Sequence, residues 1–175
     1  GCTRLPFTPE TRAAADFLLK KMEEAGLETW QDPAGNLFGL LPGRNREKPC
    51  ILCGSHYDSV PGGGNYDGIA GVVCAIELAR VLREEGITPD ADYLAAAFMD
   101  EEGCRFGSGY FGSKAVLGRL EPGEAGRLTD EEGITLARAM ERYGLKAGEL
   151  PKAAWPKGRI GHFLEIHIEQ GPVLD

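Results

Sequence analysis

A buried strand is predicted by Pro49-Cys50-Ile51-Leu52-Cys53-Gly54, a short and almost entirely apolar run. A helix is then predicted to begin near Asp67 and to end in the charged segment 83–86, and a second apolar strand covers residues 93–99. That second strand shows no alternation, which is typical of strands covered on both faces. This order predicts an α/β sheet with a crossover helix, and such sheets bind ligands at the carboxyl ends of their strands. The helix is expected to bury Ile69, Val72, Val73, Ile76 and Ala79.

Further elements are predicted on both sides of this unit. Thr8 as N-cap, Pro9 at the first helical position and Gly26 as the stop define a first helix. Turn residues 32–36 join two strands, 27–31 and 37–41, in a hairpin. The first helix is expected to bury Ala14, Phe17, Leu18, Met22 and Ala25.

The second half of the chain changes character. Residues 120–159 are richer in glycine, proline and charge, and are predicted to form a surface excursion. One helix there is predicted to be opened by the capping box Thr129-Asp130-Glu131-Glu132 and to run to about Tyr143. A final strand is predicted over residues 163–168.

Size and charge restrict the classes of function. A chain of 175 residues with 42% hydrophobic residues suits one globular domain. The net charge of −8 argues against nucleic acid or an anionic membrane as partner, since both require a basic face. No apolar run approaches the roughly 20 residues that span a bilayer, and the N-terminus lacks a signal pattern. We therefore expect a cytoplasmic protein with a small-molecule substrate.

Five cysteines, an odd number without framework spacing, favour a reducing compartment. Cys50 and Cys53 have the spacing of a redox or zinc CxxC motif. In a strand, however, positions three apart point to opposite faces, so a buried strand is the better interpretation.

One imidazole and two carboxylates surround a glycine-rich turn. His56 and Asp58 follow the first apolar strand, and alternation sends both to the same side, where His56 can bind a metal while Asp58 accepts the other ring N–H. Asp67 alone is explained equally well as a helix N-cap. The glycines at 62–64, however, allow the close backbone approach that a carboxylate bridging two metal ions needs.

Two later segments add further candidate groups. Asp100, Glu101 and Glu102 place three carboxylates after a buried strand, either as solvated loop charges or with Glu102 on a metal and Glu101 as general base. His167 shares a strand face with Glu165 and Glu169, although a half-exposed strand would look the same. The coincidence of three strand ends with metal-competent residues favours a metal site, for which zinc, manganese, cobalt and nickel are all admissible.

Together these segments resemble the hydantoinase/carbamoylase family of the aminoacylase-like metallopeptidase clan, which contains N-carbamoyl-L-amino-acid hydrolases, allantoate amidohydrolases and β-ureidopropionases. His167 and the run Arg105-Phe106-Gly107 favour this branch over the clan's peptidases. The resemblance implies a three-layer αβα sandwich of the zinc-exopeptidase type, with a mixed, mostly parallel sheet that is incomplete at its C-terminus. It covers essentially the whole chain, through residues 3–5, Gly54-Ser55-His56-Tyr57-Asp58, Tyr66-Asp67-Gly68, residues 100–107 and residues 165–174.

The resemblance also implies two divalent metal ions and a role for each candidate residue. The implied activity is hydrolysis of a linear C–N bond in N-carbamoyl-L-amino acids or ureido acids such as allantoate and ureidopropionate. The implied roles are Asp67 as the bridge between the metals, His56 and His167 as ligands of one metal, Glu102 as a ligand of the other, Glu101 as the base, Asp58 as the orienting carboxylate and Gln170 as the contact to the carbamoyl or ureido group.

Members of this family are more than twice as long as the chain. The resemblance therefore implies that residues 1–175 are the N-terminal portion of the catalytic domain, without the lid and dimerisation domain or the C-terminal segment that carries a last metal-binding histidine. The parent protein is expected to be a homodimer. Two alternatives stay open: an aminoacylase or dipeptidase of the same clan, and an inactive fragment that serves as a binding or assembly module.

Overall fold

A computed structural model describes residues 1–171 and residue 173, so Pro172, Leu174 and Asp175 of the last motif lie outside the described residues. The strands are β1 (Cys2–Arg4), β2 (Glu28–Gln31), β3 (Leu37–Leu41), β4 (Cys50–His56), β5 (Ser59–Gly63), β6 (Tyr93–Phe98) and β7 (Ile160–Leu164). The helices are α1 (Pro9–Glu24), α2 (Ile69–Glu84), α3 (Phe111–Val116), α4 (Glu124–Arg127), α5 (Leu136–Tyr143) and a 3₁₀ helix (Ala147–Ala153).

The main sheet has five strands in the order β2-β3-β6-β4-β7. Pairs β6–β4 and β4–β7 are parallel, whereas β2–β3 and β3–β6 are antiparallel because the predicted hairpin forms one side of the sheet. Helices α1 and α2 pack on one face, and the opposite face is covered by Val116 of α3 together with Trp155. The predicted three-layer α/β fold with a mixed sheet is confirmed.

Strand β4 is longer than predicted. Its parallel ladder with β6 continues past Gly54 through the pairs Ser55–Ala97 and His56–Phe98. His56 is therefore the last residue of the strand and lies at its carboxyl end. Cys50 and Cys53 belong to core clusters on opposite faces of the sheet, as the strand interpretation predicts, and all five cysteines of the described residues are free thiols.

Two predicted core positions are wrong. Phe17 of α1 and Val73 of α2 have 58% and 52% of their surface exposed. Helices α1 and α2 lie on the same face of the sheet. The side chains of Phe17 and Val73 line a groove between the two helices on the side away from the strands. The helical period identifies a face of each helix, but only the packed structure shows where that face ends.

Several boundaries also differ from the prediction. Helix α5 is capped by Thr135, whose side chain accepts from the Arg138 N–H at 3.2 Å, and the predicted box at Thr129 is instead a turn closed by the Asp130 carboxylate. Strand β7 begins and ends earlier than predicted, so His167 lies beyond the strand. The short ribbon of β1 and β5 was not predicted, because neither strand has a hydrophobic pattern.

Asn36 ties the hairpin to the strand end that precedes the candidate acidic residues. Its buried side chain donates to the Asp32 carboxylate at 2.8 Å and to the Gly112 carbonyl at 3.0 Å, and it accepts from the Met99 N–H at 3.0 Å. These bonds fix the exit of β6 and the start of α3. In residues 1–171 and 173, no helix combines the length and apolar character that crossing a bilayer requires.

We predict that Asn36→Ala lowers the free energy of unfolding by about 2–4 kcal/mol, because it leaves a buried N–H and a buried carbonyl without partners. Urea denaturation measures the loss. Asn45→Ala is the matched control, since the Asn45 side chain accepts from the Glu47 N–H at the exposed surface. Equal stability losses in the two variants would contradict the assignment of Asn36 as a buried tie.

Candidate metal centre

Four segments converge at the carboxyl edge of the sheet. His56 ends β4, Asp67 precedes α2, and His167 follows β7. The His56 Nε2 and His167 Nε2 atoms lie 3.4 Å and 3.3 Å from the same oxygen, Asp67 Oδ1, and 3.4 Å from each other. A hydrogen bond from the Ser55 hydroxyl to the Glu165 carboxylate joins the segment after β7 to β4 and so holds His167 near His56.

The two glutamates lie near the same ring nitrogen of His56. Glu101 Oε2 is 3.9 Å and Glu102 Oε1 is 4.0 Å from His56 Nε2. Potential ligand atoms thus form two groups that share His56, one with Asp67 and His167 and one with the glutamates. Among the residues that the structure describes, Asp67 Oδ1 and Glu102 Oε1 are buried without a hydrogen-bond donor.

These residues fit a divalent cation. Neighbouring ligand atoms in a tetrahedral zinc site with bonds of about 2.1 Å lie about 3.4 Å apart, and the three atoms around Asp67 Oδ1 have this spacing. Imidazole and carboxylate ligands suit zinc, manganese, cobalt and nickel alike. A cation would also satisfy the two buried oxygens, which otherwise carry a desolvation cost.

Asp58 contacts more than the imidazole for which it was predicted. Its carboxylate accepts the backbone N–H groups of Glu101 at 3.0 Å and Glu102 at 3.2 Å. The His56 Nδ1 atom lies 3.1 Å from the Asp58 carbonyl oxygen, and 3.6 Å from the nearer carboxylate oxygen. The carbonyl therefore replaces the carboxylate as the direct partner of the ring, and the carboxylate holds the backbone of both glutamates.

The site is buried and crowded with acidic groups, and burial and charge together shift its pKa values. Burial favours neutral His56, but the carboxylates of Asp58 and Glu101 outweigh it and raise the pKa of His56 to about 9. Burial raises the pKa of Glu101, and it also raises that of Glu102, with neighbouring Asp67 as the next cause. Burial raises the pKa of Asp100 far more strongly, and the charge of Asp58 adds to it.

Asp100 has a structural position that its sequence neighbours do not share. It is buried in the left-handed conformation, with φ of +56°, and its carbonyl accepts the Phe111 N–H at 3.0 Å. This turn separates Asp100 from Glu101 and Glu102, which line the cleft. Only two of the three consecutive carboxylates are therefore available to the site.

The cleft above these groups is polar, with a volume of about 420 Å³. Gln170 lines it, at the position that the resemblance gives to substrate contact. Tyr110 also lines it, and sequence reasoning missed this residue because its position depends on how the loop after β6 closes. The residues that line the cleft are His56, Glu101, Glu102, Gly109, Tyr110, His167 and Gln170.

A family model described as "Peptidase family M28" matches residues 36–125, just over half of the chain, and this match includes His56, Asp67, Glu101 and Glu102. The chain belongs to peptidase family M28. Its M28 match thus spans β4, α2 and β6, the elements that carry most of the site.

Similar proteins confirm the predicted hydantoinase/carbamoylase resemblance of this M28 chain. An N-carbamoyl-L-amino acid amidohydrolase of Geobacillus stearothermophilus is 45% identical, and an allantoate amidohydrolase of Bacillus subtilis is 37% identical; each match covers all of this chain and 42% of the relative. The crystal structure of a hydantoinase/carbamoylase family amidase from Burkholderia ambifaria has a TM-score of 0.89 at 34% identity, over 99% of this chain and 41% of that one. The chain spans about two fifths of the length of the curated relatives it matches.

We predict that the metal-free protein loses stability as the pH rises from about 6.5 to about 9. The pKa of His56 is raised from 6.5 in the unfolded chain to about 9, so its charged form stabilises the fold below pH 6.5 and this contribution disappears above pH 9. The corresponding loss is about 3 kcal/mol, measurable by urea denaturation in the presence of a chelator.

Two variants test the assignment to His56. His56→Gln is expected to remove most of this pH dependence, whereas His162→Gln, at an exposed position on β7, retains it. If His56→Gln lost stability over the same pH range as the unmodified protein, the charge on His56 would not be its source.

Proposed function

We propose that the protein carrying this chain is an amidohydrolase with two divalent metal ions that cleaves a linear C–N bond of N-carbamoyl-L-amino acids or related ureido acids. The observation that carries this proposal is the convergence of His56, Asp67 and His167 within 3.4 Å of one another, with Glu101 and Glu102 beside them. N-carbamoyl-L-amino acids are the first choice of substrate, because two relatives named for them have 44% and 45% identity, although a third has 34%, against 37% and 35% for two allantoate amidohydrolases.

In this proposal Asp67 is shared between the two metals. His56 and His167 would hold one ion together with Asp67, whose Oδ1 lies 3.4 Å and 3.3 Å from their Nε2 atoms, and Glu102 would hold the second. The pKa of Glu102 is raised by Asp67 as well as by burial, which supports their adjacency. When bound, the metals supply the Lewis acidity that lowers the pKa of water and stabilises negative charge on the substrate.

Glu101 is the residue proposed to move the proton. Its side chain lines the cleft and has 30% of its surface exposed, against 19% for Glu102 and 5% for Asp67. Of these three carboxylates, Glu101 is therefore the most accessible to a water molecule in the cleft. Burial raises the pKa of Glu101, which suits a group that first accepts a proton from water and then donates it to the leaving nitrogen.

Two other residues position these groups. Asp58 fixes the backbone of Glu101 and Glu102 through its two carboxylate hydrogen bonds. Gln170 lines the cleft, and its amide is proposed to hydrogen-bond the carbamoyl or ureido group of the substrate.

A dipeptidase or aminoacylase activity is the second candidate, and the match to peptidase family M28 favours it. The two are separated by comparing ammonia release from carbamoyl substrates with amino acid release from acyl and dipeptide substrates. The lid and dimerisation domain, a last metal-binding histidine, the homodimeric state and a cytoplasmic location stay predictions.

We predict that Glu101→Gln lowers kcat on N-carbamoyl-L-amino acids by about 10²–10⁴-fold, because the proton acceptor is lost, while two metal ions per chain are retained. Glu102→Gln is expected to lose one of the two ions as well as activity. Elemental analysis and ammonia release on the protein at its natural length measure both effects.

Glu85→Gln is the matched control. Glu85 is exposed at the C-terminal end of α2, whereas the site residue Asp67 precedes the opposite end of this 16-residue helix. It is expected to change neither metal content nor turnover. A Glu101→Gln variant with full metal content and near-normal turnover would remove Glu101 from the proposed role.

A further inference from the structure

A second, apolar cavity lies beside the polar cleft. It has a volume of about 480 Å³ and is bounded by strands β4, β6 and β7 and by α3 with the residue that follows it. We refer to it as the side chamber. Its apolar lining residues are Leu52, Phe98, Val116, Leu117, Ile160 and Phe163.

The side chamber and the polar cleft share a wall. His56, Glu101 and Tyr110 line both of them, so the chamber begins where the candidate metal ligand and the proposed base are located. A substrate whose scissile bond lay beside Glu101 would therefore have part of its body next to the apolar surface. Pockets of a few hundred Å³ with apolar walls and a few polar groups are typical of small-molecule sites.

Tyr110 is held at this shared wall by the backbone. It adopts the left-handed conformation, with φ of +62°, and 61% of its surface is exposed. A bulky residue in this conformation is strained, and such strain is often found at binding sites. Its N–H donates to the Glu101 carbonyl at 2.8 Å, and its own carbonyl accepts from the Lys114 N–H at 2.8 Å and from the Ser113 hydroxyl at 3.1 Å.

The charges around the chamber restrict what it can hold. Glu101 and Glu165 are its acidic lining residues, and His56 lines it at the wall shared with the cleft; the described lining residues include no lysine or arginine. The Glu165 carboxylate already accepts the Ser55 hydroxyl. Away from the His56 wall, an acidic substituent would meet Glu165 with no lysine or arginine to balance it, whereas an apolar substituent would bury surface against Phe163, Leu117 and Val116.

We propose that the side chamber receives the apolar side chain of the N-carbamoyl-L-amino acid, so that the enzyme prefers leucine-like or phenylalanine-like substrates over glycine and over ureido acids with polar substituents. This inference rests on the proposed function and deepens it. It makes α3, through Leu117 and Ser113, an element that determines substrate specificity.

The test compares N-carbamoyl-L-leucine with N-carbamoylglycine on the metal-loaded protein at its natural length, with ammonia release giving kcat/KM. The unmodified protein is expected to prefer the leucine substrate by about tenfold or more, the change that burial of one leucine side chain produces. Leu117→Glu is expected to lower kcat/KM for the leucine substrate by about tenfold and to leave the glycine substrate within about twofold.

Val81→Glu is the matched control, because it places the same charge at another exposed apolar position, on α2. It is expected to leave the selectivity unchanged. Ser113→Phe is a second variant that narrows the chamber without adding charge, and it is expected to reduce turnover of the leucine substrate selectively. This variant decides the question if Leu117→Glu does not fold.

Three outcomes would overturn the inference. The unmodified protein could show no preference for the leucine substrate. Alternatively, the chamber variants could lower kcat/KM for both substrates in proportion, or lower stability alone, which would make the chamber a packing surface for another part of the protein. In all these cases carbamoyl hydrolysis itself persists and the proposed function stands. Absence of ammonia release from every carbamoyl substrate, by contrast, would remove the proposed function and this inference together.

Discussion

The candidate site depends on the parallel register between β4 and β6. Gly54 lies opposite Ala96, and a Cβ atom added at Gly54 would come within 2.0 Å of the Ala96 carbonyl oxygen. Small residues therefore let the two strands keep this pairing, which carries His56 to a position opposite Phe98. The acidic loop begins two residues after Phe98, so the register alone brings an imidazole and two carboxylates to the same edge of the sheet. A shift by one residue would turn His56 to the opposite face.

This convergence gathers like charges in a place with little solvent. Asp58, Asp67, Glu101 and Glu102 surround His56, and burial raises the pKa of both glutamates. Asp58 is satisfied by two backbone N–H groups, whereas the buried oxygens of Asp67 and Glu102 have no donor among the described residues. In the metal-free chain a protonated His56 provides part of the compensation. The arrangement that opposes folding without a cation is therefore one that a bound cation would stabilise.

Much of the fold follows from local patterns. The capped helix α1, the hairpin of β2 and β3, and the apolar strands β4 and β6 each carry their signal within a few residues, and the rule that ligands gather at strand ends brought His56, Asp67 and Glu102 together. Other features depend on contacts between distant segments. The end of β7 is set by its pairing with β4, the cap of α5 by Thr135 and not the box at Thr129, and the place of Tyr110 by closure of a loop. The partners of Asp58 were missed for the same reason, because they lie more than 40 residues away.

The Asp58 carboxylate accepts two hydrogen bonds, from the backbone N–H groups of Glu101 and Glu102, and this pair of bonds has a consequence for substitutions in the site. The proposed base and the proposed ligand are consecutive residues, and the Asp58 side chain anchors the backbone of both. The backbone carbonyl of Asp58 also contacts the His56 ring. A substitution that removes the Asp58 carboxylate frees the backbone of both glutamates at once, whereas the contact between the His56 ring and the backbone carbonyl of residue 58 is retained. A variant that impairs the proposed base or the proposed ligand separately must therefore be made at Glu101 or Glu102 itself and not at the residue that anchors both.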